Sequence, residues 1–267
     1  MAVIISSGGH RYDRNIPAAL PKHMMLAPRA TIAQTVVDLR QSESPVKNQG
    51  NEGACTAHAG TSSGEWIFRK YKNQSPIFSP QYTYAKELQA QGDFPQDDGS
   101  DGTTLCEVII ANGFCELSDY PYVAGDIEAP TPEQDQNAAK FKVVGAYHGI
   151  PDSTTAMSVL ADPVPWTVVM GFVVYDSFER NEVANTGIYN PQPGETVLGG
   201  HEVHVVGADL GDVPTLRPAN CPPAYLVENS WGLQWGWQGN GHFWAVRAVL
   251  DDPQTDLKVF HLGGPWK

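Results

Sequence analysis

No apolar run in the 267-residue chain approaches the roughly 18 residues of a membrane span. Its opening MAVIISSGGHRY lacks the basic start and long apolar stretch of a secretory leader, so the chain is expected to be cytoplasmic as synthesised, or exported by a route its sequence does not display. Cysteine is scarce: four residues are too few for a disulfide scaffold, and each has to be judged singly. Positive charge is also short, with 17 Lys and Arg against 30 Asp and Glu and a net charge of −13. Polyanions are repelled by such a chain, so neither nucleic acid nor an anionic membrane is an expected partner. No phosphate loop, dinucleotide fingerprint or internal repeat is present. Asp97 to Val108 fails as a calcium loop because Gly99 and Val108 occupy ligand positions, and His201 and His204 miss the H-E-x-x-H spacing. No metal and no cofactor is expected. The Asn73-Gln74-Ser75 sequon, without a leader, is read as chance in a polar loop.

What is present describes a folded chain. Apolar residues make up 41% and aromatic residues 10%, with seven Trp, far from a disordered composition, while 26 Gly and 21 Pro predict many turns. Residues 1–36, with Pro17, Pro21 and Pro28 and no sustained period, read as an extended arm or short propeptide. The pattern then favours a helix over 54–72, weakened by Gly60 and Gly64. Ser79-Pro80 is a cap followed by proline at the first helical position, opening a second helix to about Gly92. Thr104 with Glu107 is a capping-box pattern for a third, stopped by Gly113. After the Pro-, Glu- and Gln-rich stretch 127–139 the runs become β-type, at 141–147, 164–175, 201–208, 225–228 and 242–246, with a short helix at 153–161. Helices first and strands later predict an α+β chain of two lobes, 37–130 helical and 131–267 β-rich.

Three runs carry candidate chemistry. In QGNEGACTAHA, residues 49–59, two glycines permit a tight turn and Cys55 falls at the start of the predicted helix, where free N–H groups favour a thiolate. The same pattern suits a buried structural cysteine. A thiol nucleophile needs a base, and the base needs an orienting group. His201 opens the run HEVHVVGA after Gly199-Gly200, a position suited to a cleft, whereas His204 points to the opposite face and His58 is expected to pack between helix and core. In ENSWGLQWGWQGNG, residues 228–241, Asn229 stands beside Trp231, so an amide could sit under an indole cover that shields an Asn–His hydrogen bond from water.

Together these runs resemble the papain-like cysteine proteases over about residues 36–250. VDLR at 37–40 and PVKNQG at 45–50 are similar to that family's mature N-terminus. The resemblance implies a two-lobe fold with a barrel-like second lobe and a cleft between lobes. It makes Cys55 the nucleophile, His201 the base, Asn229 the orienter, Trp231 its cover and Gln49 the side-chain donor of the oxyanion hole. Gly99 resembles the family's backbone strip for substrate, and Glu202 could reach a specificity pocket, the alternative being a solvated strand charge. Peptide or protein substrates and a monomeric state are the expectation. The form C-T-A-x-A is closer to bacterial members. Glu52 stands where the family usually has a cysteine, so the disulfide normally made there is absent.

Two other readings compete. Gly60-Thr61-Ser62-Ser63-Gly64 matches the G-x-S-x-G of serine hydrolases, although helix-type sequence precedes it where a strand is required. A papain-like chain kept as a silent or regulated binding scaffold is the non-enzyme reading. Cys106, Cys115 and Cys221 are expected as buried thiols, with a Cys106–Cys115 bond left open. The charge is uneven: residues 73–136 hold one basic and twelve acidic side chains, which predicts a preference for neutral or basic peptides.

Overall fold

Helix boundaries follow capping chemistry. The computed structural model describes residues 25–26, 34–142, 144–180 and 182–262, so most of the expected arm lies outside the described residues. Helix α1, Cys55–Ile67, continues into a π-helical turn over Phe68–Lys72. Helix α2, Pro80–Gln91, starts as expected: the Ser79 hydroxyl accepts the Tyr82 N–H, and Gly92 closes it in the left-handed region at φ 81°. Helix α3, Gly102–Asn112, is capped by Asp101 rather than Thr104. The Asp101 carboxylate takes the N–H groups of Thr103 and Thr104 at 2.8 and 2.9 Å and the Thr104 hydroxyl at 2.7 Å, so Thr104 is a donor inside the first turn and not the cap. Helix α4, Pro132–Lys140, lies in the Pro-, Glu- and Gln-rich stretch, to which the sequence reading assigned no element. Its signal was local: Thr131 and Gln134 form a reciprocal capping box with Pro132 at the first turn. Helix α5 spans Ser153–Leu160.

The strands are β1 Val36–Asp38, β2 Val144–Ile150, β3 Val168–Tyr175, β4 Ile188–Tyr189, β5 Val197–Asp209, β6 Ala224–Glu228, β7 His242–Val246 and β8 Asp256–Leu262. They form one sheet in the order β2-β8-β3-β5-β6-β7-β4, with β1 added to the far end of β5; all pairs are antiparallel except β4–β7. Strand β5 is the spine: it pairs with β3 along its first half and with β6 and β1 along its second. β1 and β8 have no counterpart in the runs read from sequence. Met25, one of the described residues of the arm, makes a bridge with Gly149 of β2.

All thirteen residues of α1 are buried. A helix buried on every side needs small residues, and eight of the thirteen in α1 are Ala, Gly, Ser or Thr. Gly60 and Gly64, which weaken it by roughly 1 kcal/mol each relative to Ala, allow close approach. A Cβ on Gly60 would stand 2.5 Å from Leu105 Cδ1 of α3, and one on Gly64 2.4 Å from Phe114 Cζ. On its other side α1 lies against β5 and β3, with Ser62 hydrogen-bonded to Glu228 at 2.8 Å and Ser63 to Thr167 at 3.3 Å. α1 therefore sits between the helical layer and the sheet, with its first residue at their junction.

Candidate active site

Three elements converge at that junction. α1 delivers Cys55 as its first helical residue, β5 carries His201 opposite Phe172 of β3, and the chain leaving β6 supplies Asn229, Ser230 and Trp231. The Asn229 backbone N–H is held by Gly241 O at 2.9 Å. Asn229 Oδ1 accepts the Ser230 N–H at 2.8 Å and His201 Nε2 at 2.7 Å. Because the Ser230 N–H identifies this atom as the amide oxygen, His201 Nε2 must carry a proton, leaving Nδ1 as the nitrogen that gains and loses one. The Cys55 sulfur accepts the backbone N–H of Glu202 at 3.4 Å, which places it beside the strand at the residue after His201.

An aromatic wall surrounds the histidine. The Trp231 indole lies 5.0 Å from the His201 ring at 30°, with Phe172 and Phe178 at 5.9 and 6.2 Å, and Trp235 packs on Trp231 at 5.1 Å.

Gln49 is held at both ends. Its N–H donates to Ser230 O at 2.8 Å, its Oε1 accepts the Ser230 hydroxyl, and its Nε2 donates one hydrogen to Glu52 O at 2.9 Å. Gln49, Ser230, Asn229 and His201 are therefore one hydrogen-bonded chain.

The nucleophile candidate is sealed. Cys55 is 0% exposed, His201 4% and Gln49 5%. Burial raises the Cys55 thiol far above its ordinary value, and the carboxylates of Glu202 and Glu87 act in the same sense. Burial also lowers His58, to about 3, so it is a neutral ring; its Nδ1 lies 2.9 Å from Ala54 O and it meets Tyr122 edge-on.

The remaining expected positions fall as follows. Gly99 has φ 76° and its N–H is engaged by the Tyr84 hydroxyl at 3.0 Å. Glu202 is 1% exposed, which rules out a solvated strand charge. Its Oε1 lies 2.9 Å from where a Cβ on Gly102 would stand, with Lys258 Nζ close by. Gly60 to Gly64 lie inside α1, not on a strand-to-helix elbow, and Ser62 donates to a carboxylate, so the serine-hydrolase reading is corrected. Cys106, Cys115 and Cys221 are buried and free.

Behind the histidine runs a buried polar cluster that the sequence did not single out. Lys47 bridges Glu65 at 2.7 Å and Ser62 at 3.1 Å, and Glu228 also meets His204 Nδ1 at 3.5 Å. Burial opposes charge on Glu228, yet His204, with Lys47 and His242 beyond it, holds its carboxyl down at about 2. Glu43, Glu228 and His242 bring possible ligand atoms within 4.8 Å of one another. Hydrogen bonds already account for this histidine: Nδ1 lies 2.9 Å from Asn240 O, and Nε2 lies 3.0 and 3.1 Å from the Glu43 oxygens. Lys47 stood inside the PVKNQG run; the other members are separated by up to 199 residues and have no local signature.

A model of the papain family of cysteine proteases matches residues 33–252. An uncharacterized peptidase C1-like protein of Acanthamoeba polyphaga mimivirus is 28% identical over 241 residues, covering 81% of this chain and 73% of that protein. Falcipain-2a of Plasmodium falciparum is 26% identical over 204 residues, and the chain spans only 39% of its length. Among solved structures, xylellain, a cysteine protease from Xylella fastidiosa, superposes with a TM-score of 0.79 at 24% identity over 97% of both chains. Bromelain from Ananas comosus, in complex with the E64 inhibitor, gives 0.66 at 20% identity over 86% of this chain and 100% of its own. At these identities the two structures speak to the fold.

Proposed function

This chain belongs to the papain family of cysteine proteases, and on that premise we propose that it is an endopeptidase acting through Cys55, His201 and Asn229. The observation that carries the reading is the His201–Asn229 hydrogen bond, on a strand whose next N–H touches the Cys55 sulfur. Peptide or protein chains are the substrates.

The chemistry follows from the proton positions. His201 Nδ1 takes the proton of the Cys55 thiol as the sulfur attacks the peptide carbonyl carbon. The resulting oxyanion lies between the second Nε2 hydrogen of Gln49 and the Cys55 N–H, which has no intrahelical acceptor because it belongs to the first turn. When the intermediate collapses, the C–N bond breaks and Nδ1 returns the proton to the leaving amine. Water then attacks the thioester, giving its proton to Nδ1, and the acid product leaves with the thiol restored. Asn229 keeps the ring in one tautomer throughout, and Trp231 shields that contact.

Residues 37–130 and 131–267 supply the two walls of the cleft. Residues 1–36 are read as an arm that regulates access to Cys55, which is 0% exposed. The functional test is hydrolysis of an unstructured protein by the chain and by Cys55→Ala, with thiol labelling in parallel. Turnover that vanishes in the variant, falling by about 10,000-fold or more, is the expected result; no turnover from a chain with a reactive Cys55 points to a binding scaffold instead. Deleting residues 1–36 should raise the labelling rate, and an unchanged rate would remove the arm from the regulation.

A further inference from the structure

Three residues before the nucleophile, Glu52 puts a carboxylate into the protein interior at 2% exposure. Its two oxygens serve two different segments. Oε1 accepts Gln81 Nε2 of α2 at 2.7 Å, and Oε2 accepts the Gly125 backbone N–H at 2.6 Å. Gln81 in turn accepts the Val123 N–H at 3.3 Å, so the loop before Cys55, helix α2 and residues 122–125 are joined through one acid. Both donors to the carboxylate are neutral amides, and the nearby charges that act on it, Asp97 and Asp126, are also negative. A group that accepts in both directions is what the two donors require, and a carboxylate accepts more strongly than a neutral amide oxygen.

The backbone of the same residue holds Gln49. The Glu52 carbonyl accepts Gln49 Nε2 at 2.9 Å, and the Glu52 N–H reaches Gln49 O at 3.3 Å. Tyr122, in the segment that the carboxylate tethers, donates its hydroxyl to Gln49 O at 2.8 Å. Every contact that aims the Gln49 amide from the helical side therefore runs through Glu52 or through the loop it holds. On the sheet side Ser230 grips it, through its carbonyl and its hydroxyl.

We propose that Glu52 is a positioning residue for this proteolysis: its carboxylate fixes the turn that points the second Nε2 hydrogen of Gln49 at the oxyanion, without itself touching substrate. The assignment rests on reading Gln49 as an oxyanion donor. Its energetic basis is geometric, since a displacement of about 1 Å at a catalytic group costs on the order of 100-fold in rate.

The test uses the full chain and a fluorogenic peptide amide. Glu52→Gln keeps the shape but turns an N–H toward a donor. It should lower kcat by about 10- to 100-fold, within the range for weakening one oxyanion donor, and leave KM unchanged. Alkylation of Cys55 by iodoacetamide, which develops no oxyanion, should keep its wild-type rate and so report an intact nucleophile and fold. The exchange Glu52→Gln with Gln81→Glu restores a donor opposite an acceptor at each contact and should recover kcat. In a cycle with Gln49→Ala, Glu52→Gln should add no further loss. Wild-type kcat in Glu52→Gln, a loss confined to KM, or alkylation falling in step with kcat would each overturn the assignment. A fully active Gln49→Ala removes the oxyanion reading and this one with it; a crippled Gln49→Ala beside a fully active Glu52→Gln removes this one alone.

Discussion

The two walls that meet at Cys55 and His201 are held by different means. His201 rides on β5, a thirteen-residue strand paired with β3 at His201 itself and with β6 from His204 on, so its backbone is fixed by a ladder that no single side chain controls. Cys55 and Gln49 ride on a turn and a helix of small residues, fixed by Glu52, Tyr122 and Ser230 side chains and by the close approach allowed at Gly60 and Gly64. Backbone ladders tolerate change in side chains; a braced turn does not. The nucleophile side is therefore where single substitutions should dislodge geometry without unfolding the chain, whereas on the histidine side they should alter the ring's proton while its backbone stays in place.

Asn229→Ala sharpens that contrast most. The ladder keeps the His201 backbone, but the ring loses the acceptor that fixes Nε2–H, and kcat should fall by about 100-fold, the low end of what acid–base catalysis contributes. Steady-state kinetics at several pH values read this; an unchanged kcat would show that the strand alone suffices. Gly64→Ala comes next. Its Cβ meets the Phe114 ring at 2.4 Å, so stability in urea should drop by about 1–3 kcal/mol, outweighing the gain in helix propensity of roughly 1 kcal/mol. A more stable variant would mean that α1 is not packed as tightly as the braced-turn picture needs.

Acid should loosen the join between the walls. The Glu228 carboxyl is held at about 2, below its ordinary 4.5. A depressed folded-state value means that its contribution is complete above about 4.5 and lost as pH falls toward 2. The stability difference between wild type and Glu228→Gln should therefore shrink over that interval, as followed by urea melts at stepped pH. A difference that stays constant would mean the carboxylate does not tie Ser62 of α1 to the sheet in solution. The smallest effect concerns charge on the helical wall. With one basic and twelve acidic residues over 73–136, basic peptides should be cleaved a few-fold faster than matched acidic ones at low salt. The gap should close near 1 M salt, where the screening length is about 3 Å, and equal rates at low salt would leave that charge as a solvated surface.

Local signals were legible where local chemistry decides. Ser79-Pro80 and Gly92 bound α2 as read, and the β-type runs at 225–228 and 242–246 match β6 and β7 closely. α4 was legible in principle, through Thr131 and Gln134, but its polar composition hid it. β1 and β8 were not legible in the same way, because a three-residue strand carries no period and β8 closes against β2 and β3, residues far away in the chain. For the site, Cys55, His201 and Asn229 were named from their runs, and the structure brings His201 to Asn229 and Cys55 to the neighbouring strand backbone.

Residue order and type by themselves singled out the candidate groups: one cysteine at a helix start, a histidine after a glycine pair, an amide before an indole, and a glutamine six residues ahead of the thiol. Each belongs to a short run whose local geometry is set by its own glycines, caps and alternation. Tertiary structure alone decided the state of those groups. That Cys55 is sealed and its thiol pushed up by burial, that Glu202 is buried beside Gly102, and that Glu52 reaches Gln81 and Gly125 depend on burial and on contacts between residues 29 and 73 positions apart. Desolvation and hydrogen-bond geometry are properties of the packed interior, and no local pattern carries them.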